Sequence, residues 1–239
     1  MKRRFNMYIE AIVQNGEEAK QAEKLGADRL ELVSAMTEGG LTPSYGTMKQ
    51  VLNSVTIPVQ VMIRPHSYHY VYNESDLEII REDIRAVLEL GGTGIVFGAL
   101  NEDNTINEQV LADVAGISDS LDITFHRAFD EVPSQEKAYL TLVKYKHAVK
   151  RILTSGGKVN CEVGKDELRE LVKFAKSTSG PKILPGAGMT PDNIGSIHET
   201  VQADQYHFGK ALRKGNKISN GFDKEAVEIV KSIDKSRKK

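Results

Sequence analysis

Short apolar runs recur along the chain, and polar segments of helical character separate them. Four segments share one pattern, in which a helix end is followed by small residues and then by an apolar strand. Four shorter apolar runs lie between these segments. The four repeats are residues 22–33, 87–98, 149–156 and 201–209, and the shorter runs are residues 7–13, 59–64, 122–126 and 182–184. The spacing of roughly 20–35 residues is that of a strand, a helix and two loops in a βαβ unit. The pattern therefore predicts eight strands.

The segments between the strands carry apolar residues at helical spacing. Two such faces are Leu77, Ile80, Ile84 and Val87, and Leu168, Leu171, Val172 and Ala175. A capping-box pattern that begins at Ser75 predicts the start of the first helix. The pair Thr190-Pro191 predicts another helix start, and Gly26 and Gly91 stand where helices should end.

The regular alternation of strands and helices indicates a mostly parallel sheet. Eight units in 239 residues are close to the roughly 250 residues of a (β/α)8 barrel. The sequence predicts a single TIM-barrel domain over residues 1–239, with its core at about residues 7–230 and a basic tail, 231–239, that frays. The alternative is a doubly wound sheet, whose dinucleotide form carries G-x-G-x-x-G after the first strand. The sequence there, Gln14-Asn15-Gly16-Glu17, lacks that motif.

Composition narrows the classes of function. The chain has 32 basic and 33 acidic side chains, so it has no positive excess to neutralise nucleic-acid phosphates. Its apolar runs are far shorter than the roughly 20 residues that span a bilayer. Asn6 and Glu10 interrupt the stretch that would complete a signal peptide, and Cys161 is the only cysteine. These features predict a cytosolic protein that binds neither nucleic acid nor membrane.

Ionisable residues are concentrated where the strands of the predicted barrel end, which is where such barrels hold their active sites. The catalytic candidates are Glu10, Glu31, Arg64, His126 and Asp130. Glu31 and Arg64 are on neighbouring strands, and an ion pair between them at about 4 Å would be worth about 4 kcal/mol before desolvation. That pair would serve either catalysis or the register of the barrel. His126 has the residue type of a general acid or base near neutral pH.

Candidates for ligand binding follow the later strands. They are Arg127, Thr154, Ser155, Gly186, Gly188, His207 and Lys210. The loop from Gly186 to Gly188 offers bare backbone N–H groups ahead of a helix start, in the place where barrels usually bind phosphate. Lys210 adds positive charge. We therefore expect a small ligand that bears phosphate or carboxylate, with a simple tight turn as the alternative explanation of the glycines.

Ligands for a transition metal are few in this sequence. His66 and His69 form an H-x-x-H pair in the loop after the third strand, and Met62 supplies a thioether. Two loop histidines without a third ligand are most often ordinary loop residues, and methionine most often packs in a core. Cys161 is expected to be inert.

Seven motifs together resemble the CutC copper homeostasis family. They occupy residues 26–32, 37–44, 61–65, 96–100, 124–130, 151–156 and 184–188, and the resemblance extends from near residue 8 to near residue 209. The resemblance implies a (β/α)8 barrel with a cytosolic role in copper homeostasis, through copper binding or trafficking. It also implies a homo-oligomer, a dimer or a tetramer. In part of the family, cysteines on the first two strands are implicated in Cu(I) binding.

The sequence departs from the family at those two positions. Alignment of the motifs puts Ile12 and Val33 where the cysteines would stand, and His66 where the family often has an arginine. Neither aliphatic side chain ligates a metal, so copper is expected here by resemblance alone. The alternative is a TIM-barrel enzyme of unknown reaction that uses acid/base chemistry on a small anionic metabolite. A third alternative is a non-catalytic barrel that acts through protein contacts, so whether the chain is an enzyme stays open at this point.

Overall fold

Eight parallel strands form the wall of a barrel. The computed structural model describes residues 7–233. The strands are β1 (Tyr8–Val13), β2 (Arg29–Leu32), β3 (Val59–Met62), β4 (Gly94–Phe97), β5 (Asp122–Phe125), β6 (Val149–Thr154), β7 (Lys182–Pro185) and β8 (Gln205–Phe208). Each strand overlaps one of the eight apolar runs, so the predicted number and order of strands are confirmed.

The strands pair with their neighbours in chain order, and β1 also pairs with β8. Between β7 and β8 the ring is completed by a parallel bridge from Gly186 to His207. The side-chain amide of Gln205 also donates to the carbonyl of Ile183 at 3.4 Å across this junction. The result confirms the predicted single-domain (β/α)8 TIM barrel.

Helices cover the outer face of the barrel. In the described part of the chain they are α1 (Gly16–Leu25), α2 (Tyr45–Leu52), α3 (Glu74–Glu89), α4 (Glu108–Ala115), α5 (Gln135–Val143), α6 (Lys165–Thr178), α7 (Ile194–Val201) and α8 (Lys224–Ser232). Ile80, Ile84 and Val87 of α3 are buried, as their spacing predicts. Within residues 7–233, no helix combines the length and apolar character needed to cross a membrane.

Two helix starts differ from the sequence prediction. The capping box of α3 joins Asn73 to Asp76, and not Ser75 to its third neighbour, with hydrogen bonds of 3.1 and 3.0 Å. Asparagine caps a helix as well as serine does, so the pattern alone does not separate the two starts. Helix α7 begins at Ile194, because Thr190 and its neighbours first form a turn.

The other end signals correspond more closely to the structure. Gly26 ends α1 in the left-handed conformation, with φ of 93°, as predicted. Helix α8 continues to Ser232, and the Lys231 side chain donates to the carbonyl of Gly26 at 3.1 Å. Residues 234–239 of the predicted tail lie outside the described residues.

Apolar residues form two clusters that alternate along the strands. Ile95 and Phe97 of β4 belong to the main cluster, which packs between the strands and the helices. Because successive side chains of a strand point to opposite faces, Val96 points into the barrel. There it belongs to an inner apolar cluster formed by Ile12, Val33, Met62 and Val96, with Met36 packed against it.

Charged pairs occupy the barrel interior near the amino ends of the strands. Arg29, the first residue of β2, donates to Glu10 and, at 3.0 Å, to the side-chain oxygen of Gln205. Arg151 donates to the carboxylate of Asp122 at 2.9 Å. A buried charge is strongly destabilising unless it is paired. These pairs therefore allow the barrel to hold ionised side chains beneath its carboxyl end.

A buried arginine joins the segment after β8 to the first strand. Arg213 is 2% exposed and donates to the carbonyl of Ile12 at 2.8 Å and to the carboxylate of Glu18 at 2.7 Å. Its guanidinium carbon lies 4.3 Å from the centre of the Phe222 ring. Arg213 thus joins two parts of the chain that are 201 residues apart in sequence.

Replacement of this arginine tests its contribution to stability. We expect Arg213→Ala to lower the free energy of unfolding by about 3 kcal/mol, because it removes the cation paired with the half-buried Glu18 carboxylate and the donor to the Ile12 carbonyl. Urea denaturation measures the change. The matched control is Arg85→Ala, which removes an exposed pair with Glu82 and should move the midpoint little. Equal shifts for the two variants would contradict the assignment.

Candidate active site

A cavity of about 600 Å³ opens at the carboxyl ends of the strands. This volume suits a small-molecule ligand. Eight of the predicted site residues line it, together with Met62. They are Glu31, Arg64, His126, Arg127, Gly186, Gly188, His207 and Lys210. The other predicted residues are not part of the lining: Glu10, Asp130, Thr154 and Ser155, and the metal candidates His66 and His69.

Glu10, His207 and Glu31 form a buried chain of polar groups at the cavity. Nδ1 of His207 lies 2.7 Å from Oε1 of Glu10, and Nε2 of His207 lies 3.7 Å from Oε2 of Glu31. The strand register brings them together, since β1 pairs with both β2 and β8 and places Glu10 opposite His207. The carboxylate of Glu10 accepts the Nδ1 proton of His207, so Nε2 is the nitrogen that faces Glu31.

The three side chains Glu10, His207 and Glu31 differ in their affinity for protons. Burial raises the pKa of Glu10, but Arg29 and His207 outweigh it and lower that pKa to about 2. Burial is the largest influence at Glu31 and raises its pKa to about 7 against the attraction of His207. Burial lowers the pKa of His207, but Glu31 and Glu10 together have the larger effect, so the pKa is raised overall. Glu10 is therefore an anion, Glu31 gains and loses its proton near neutral pH, and His207 holds its proton more firmly than an ordinary histidine does.

The surroundings of Glu31 explain its high proton affinity. Its Oε1 atom is buried, and no described residue donates a hydrogen bond to it. Ile12, Val33 and Met62 of the inner apolar cluster line the same cavity. These side chains exclude water from one wall, and a poorly solvated carboxyl group favours its neutral form.

Glu31 and Arg64 do not form the ion pair that the sequence predicts. Arg64 follows the end of β3, whereas Glu31 is paired in register with Gln60, near the start of that strand. The guanidinium of Arg64 instead donates to three carbonyls at 3.1–3.4 Å, those of Glu38, Gly40 and Ser67. For such an ion pair, the two residues must lie on adjacent strands and also at the same level along the barrel axis.

His126 follows β5 and begins the 3-10 turn Arg127–Asp130. Its Nδ1 accepts a hydrogen bond of 3.2 Å from the backbone N–H of Ala128, and its Nε2 is buried with no partner among the described residues. Burial, and then the charge of Arg64, lower its pKa to about 3. His126 is therefore a neutral donor on the cavity wall, and the group that exchanges protons near pH 7 is Glu31.

Asp130 holds the loop after β6 in place. Its carboxylate accepts from the backbone N–H groups of Ser155 and Gly157 at 3.0–3.1 Å and from the hydroxyl of Thr154. Arg127 donates to the same carboxylate at 2.8 Å. Since its oxygens are occupied and it does not line the cavity, Asp130 positions the loop rather than acting on a ligand. Thr154 and Ser155, predicted to bind ligand, are the partners of Asp130 instead.

The loop from Gly186 to Gly188 brings main chain to the cavity wall. A Cβ atom at Gly186 would lie 2.4 Å from a methyl carbon of Leu153, and Gly188 has φ of 67°, so both positions require glycine. Lys210 is exposed and lines the cavity from the segment after β8. Helix α7 begins at Ile194, so the helix start predicted at Thr190 does not contribute an N-terminus here.

The predicted metal ligands do not form one centre. Met62 packs in the inner apolar cluster, whereas the rings of His66 and His69 pack edge to face, 4.9 Å apart. In residues 7–233, one set of at least three His, Cys, Asp or Glu side chains has ligand atoms within 4.8 Å of one another. It consists of Glu10, Glu31 and His207. Cys161 is buried, and burial raises the pKa of its thiol to about 12.

Sequence reasoning missed Arg29 and Tyr70. Arg29 precedes Glu31 by two residues, so strand alternation already placed both side chains on the inner face of β2. That signal was available and would have supplied the cation that Glu10 needs. Tyr70 comes from the irregular loop after β3, and its ring lies 4.8 Å from the guanidinium carbon of Arg64. No periodic pattern marks such a contact.

Known proteins match almost the whole barrel. The sequence profile of the CutC family matches residues 7–211. The chain belongs to the CutC family. It is 39% identical to the copper homeostasis protein cutC homolog of Homo sapiens over 199 residues, which are 83% of this chain and 71% of that protein. It is 37% identical to a CutC family protein of Treponema denticola over 209 residues, 87% of this chain and 83% of that one.

A solved structure agrees with this assignment. The crystal structure of a CutC protein from Streptococcus agalactiae superposes with a TM-score of 0.78 at 30% identity, and the match covers 89% of this chain and 100% of that one. The resemblance based on seven motifs is therefore confirmed. By homology, this CutC chain belongs with copper homeostasis proteins.

The cluster of Glu10, His207 and Glu31 in this CutC chain does not fit Cu(I). Soft Cu(I) is selected by thiolate and thioether ligands, whereas the cluster at the cavity offers carboxylates and one imidazole. Both oxygens of Glu10 are already engaged, one by Arg29 and one by His207. At the positions of the family's cysteines, Ile12 and Val33 are buried and apolar.

The raised pKa of Glu31 predicts stability that falls as pH rises. The folded chain keeps a proton on Glu31 up to about pH 7, whereas the unfolded chain releases it near the ordinary value of 4.5. Between these values the folded state binds more protons, so its stability decreases with pH. The raised pKa of His207 acts in the same direction.

Glu31→Gln should remove the loss of stability that ionisation of Glu31 causes. We expect the difference in unfolding free energy, variant minus wild type, to increase by about 1–3 kcal/mol from pH 5 to pH 8. Urea denaturation at the two pH values measures it. Glu38→Gln, which changes an exposed acid on the rim of the same cavity, is the matched control. The same pH dependence in both variants would show that Glu31 is not its source.

Proposed function

We propose that this CutC chain is an enzyme that transfers protons on a small anionic metabolite bound in the cavity. The observation that carries the proposal is the buried chain from Glu10 through His207 to Glu31, next to a cavity of about 600 Å³. It combines a fixed anion, a histidine whose pKa is raised and a carboxyl group whose pKa is about 7. General acid/base catalysis is most efficient when the pKa of the catalytic group lies near the working pH.

Glu31 and His207 have different roles in this proposal. Glu31 has a free oxygen and lines the cavity, so it is the group that meets the substrate. His207 lies behind it, at 3.7 Å, and adjusts the share of Glu31 that is ionised. Glu10 and Arg29 hold His207 in one tautomer and orientation. Such support is what keeps a catalytic side chain in its productive geometry.

Positive charge around the cavity supports an anionic ligand. Arg64 lines the wall, and Lys210 is exposed where it lines the cavity. The charge of Arg127 is largely offset by its pair with Asp130. Glu31 is partly neutral at physiological pH, so it cancels less of the remaining positive charge than an ordinary carboxylate would. A phosphate or carboxylate group of the metabolite would neutralise the remaining positive charge.

Copper binding or trafficking is the finer function that the family's name suggests. It would require soft ligands, and this chain has aliphatic residues at the two positions where the family's cysteines would stand. We therefore propose that the cavity of this member serves an organic ligand. We also propose a cytosolic setting and a dimer or tetramer; a single buried cysteine, which forms no disulfide within the chain, supports the first of these.

Turnover and binding measured on the same variants test the enzyme proposal. We expect at least one member of a panel of phosphorylated and carboxylated metabolites to be converted, as followed by proton NMR. Glu31→Gln should lower the rate by about 10²–10⁴-fold and leave binding nearly unchanged, since it removes proton transfer but keeps the shape of the site.

Lys210→Ala supplies the complementary change. We expect it to weaken binding of inorganic phosphate about 5-fold in calorimetry, because one charge-assisted hydrogen bond is lost. Lys214→Ala, an exposed lysine close by that does not line the cavity, should have no effect. If no member of the panel binds, or if Glu31→Gln converts its ligand at the wild-type rate, the enzyme proposal is wrong.

Competition with a Cu(I) chelator tests the copper alternative under anaerobic conditions. We expect wild type not to remove Cu(I) from the chelator, and the double variant Ile12→Cys/Val33→Cys to acquire one-to-one binding, because it places two thiols beside the thioether of Met62. The double variant Ile12→Ser/Val33→Ser repeats the substitution without sulfur. Tight one-to-one binding by wild type would restore the copper function.

A further inference from the structure

Two buried hydrogen-bond donors in the cavity wall have no partner. They are Nε2 of His126 and Nε of Arg64, and neither meets an acceptor among the residues that the structure describes. The two residues are 4% and 6% exposed. A buried donor without an acceptor destabilises the folded protein. Both residues line the cavity, so a ligand oxygen placed there would supply what the fold leaves out.

Hydrogen bonding identifies the state of His126. Because Nδ1 accepts from the backbone N–H of Ala128, the neutral ring carries its proton on Nε2. Burial and the charge of Arg64 hold the pKa of His126 at about 3. At neutral pH the ring is therefore a donor that keeps its proton, which is the form that polarises a carbonyl without being deprotonated first.

The ring of Tyr70 contacts the side chains of both donors. The ring of Tyr70 lies 4.8 Å from the guanidinium carbon of Arg64 and 4.7 Å from the ring centre of His126. In the register of β3, β4 and β5, Met62, Val96 and Thr124 are opposite one another. Two residues further along, Arg64 and His126 therefore stand on either side of residue 98.

Residue 98 is a glycine, and its missing side chain has a consequence for His126. A Cβ atom at Gly98 would lie 2.7 Å from the imidazole ring of His126, so only glycine lets the ring lean over β4, toward the strand that carries Arg64. The guanidinium in turn is held by its three hydrogen bonds to carbonyls, which leave Nε as its one nitrogen without a partner among the described residues. Both donors are thus fixed before a ligand arrives.

We propose that His126 and Arg64 bind the oxygen of a substrate carbonyl, and that the reaction is transfer of a proton at the carbon next to that carbonyl, with Glu31 as the base. This inference rests on the proposed function and names its substrate class, a small carbonyl compound that also bears an anionic group. The donors follow β3 and β5, whereas Glu31 and His207 belong to β2 and β8, so the cavity presents both kinds of group to one ligand.

The step is balanced with the groups present. The carboxylate of Glu31 removes a proton from the carbon next to the carbonyl. The C–H electron pair becomes the new C=C bond, and the π pair of the C=O bond moves to oxygen, where the N–H groups of His126 and Arg64 stabilise the enolate. Glu31 then gives a proton back to that carbon. Because the carboxyl proton exchanges with solvent in the meantime, the net result is replacement of the hydrogen on that carbon. No oxidation occurs, and no co-reactant is needed.

Oxalate, a planar dianion that mimics the enolate of a 2-oxo carboxylate, is the probe for this site. In protein labelled with ¹⁵N-histidine and saturated with inorganic phosphate, we expect oxalate to move the Nε2–H proton of His126 downfield by more than 1 ppm, as a stronger hydrogen bond forms. The resonance is assigned by its loss in His126→Gln. We also expect this variant to bind oxalate at least 10-fold more weakly and to bind phosphate within 2-fold of wild type.

The matched control is His147→Gln, which changes an exposed histidine outside the cavity lining and should alter neither affinity. The inference is overturned if phosphate binds but oxalate does not, or if bound oxalate leaves the His126 proton unmoved. It is also overturned if folded His126→Gln binds oxalate as tightly as wild type. If neither anion binds, the proposed function fails together with it. The wild-type spectrum decides the question even if the variant does not fold.

Discussion

The hydrogen bond between Glu10 and His207 is the interaction on which the candidate site depends. It fixes the proton of His207 on Nδ1 and so determines that Nε2 faces Glu31. Glu10 performs this function only because Arg29 keeps it ionised inside the barrel. Without that cation, burial would favour the neutral acid, and the histidine would lose its orientation. An ion pair beneath the cavity thus controls the chemistry inside it.

Apolar side chains contribute as much to this site as charged ones. Ile12 and Val33 stand in the cavity wall beside Glu31, and the poorly solvated environment holds the pKa of that carboxyl near neutrality. Neither aliphatic side chain ligates a metal. In this chain, the side chains that offer no ligand to Cu(I) also favour a carboxyl group that exchanges protons near pH 7.

The cavity holds two kinds of group that complement each other. Glu31 and His207 accept and release protons, whereas His126 and Arg64 offer hydrogen bonds from fixed positions. Asp130, which the sequence suggests as a catalytic residue, instead ties the loop after β6 to the 3-10 turn that follows His126. Loops of a barrel are mobile unless such contacts hold them, so this carboxylate serves the site through the backbone it positions.

The sequence by itself determined the barrel, because the spacing of its apolar runs leaves one economical arrangement for eight strand–helix units. It also determined which residues face inward, since side chains alternate along a strand, and it located most of the cavity lining at the strand ends. The tertiary structure decided which charged groups meet. Glu31 is opposed to His207 and not to Arg64, because strand register and the length of β3 place Arg64 too far along the barrel. It also decided the protonation of His126 and Glu31, because pKa values depend on burial and on neighbours from distant parts of the chain, which no local pattern contains.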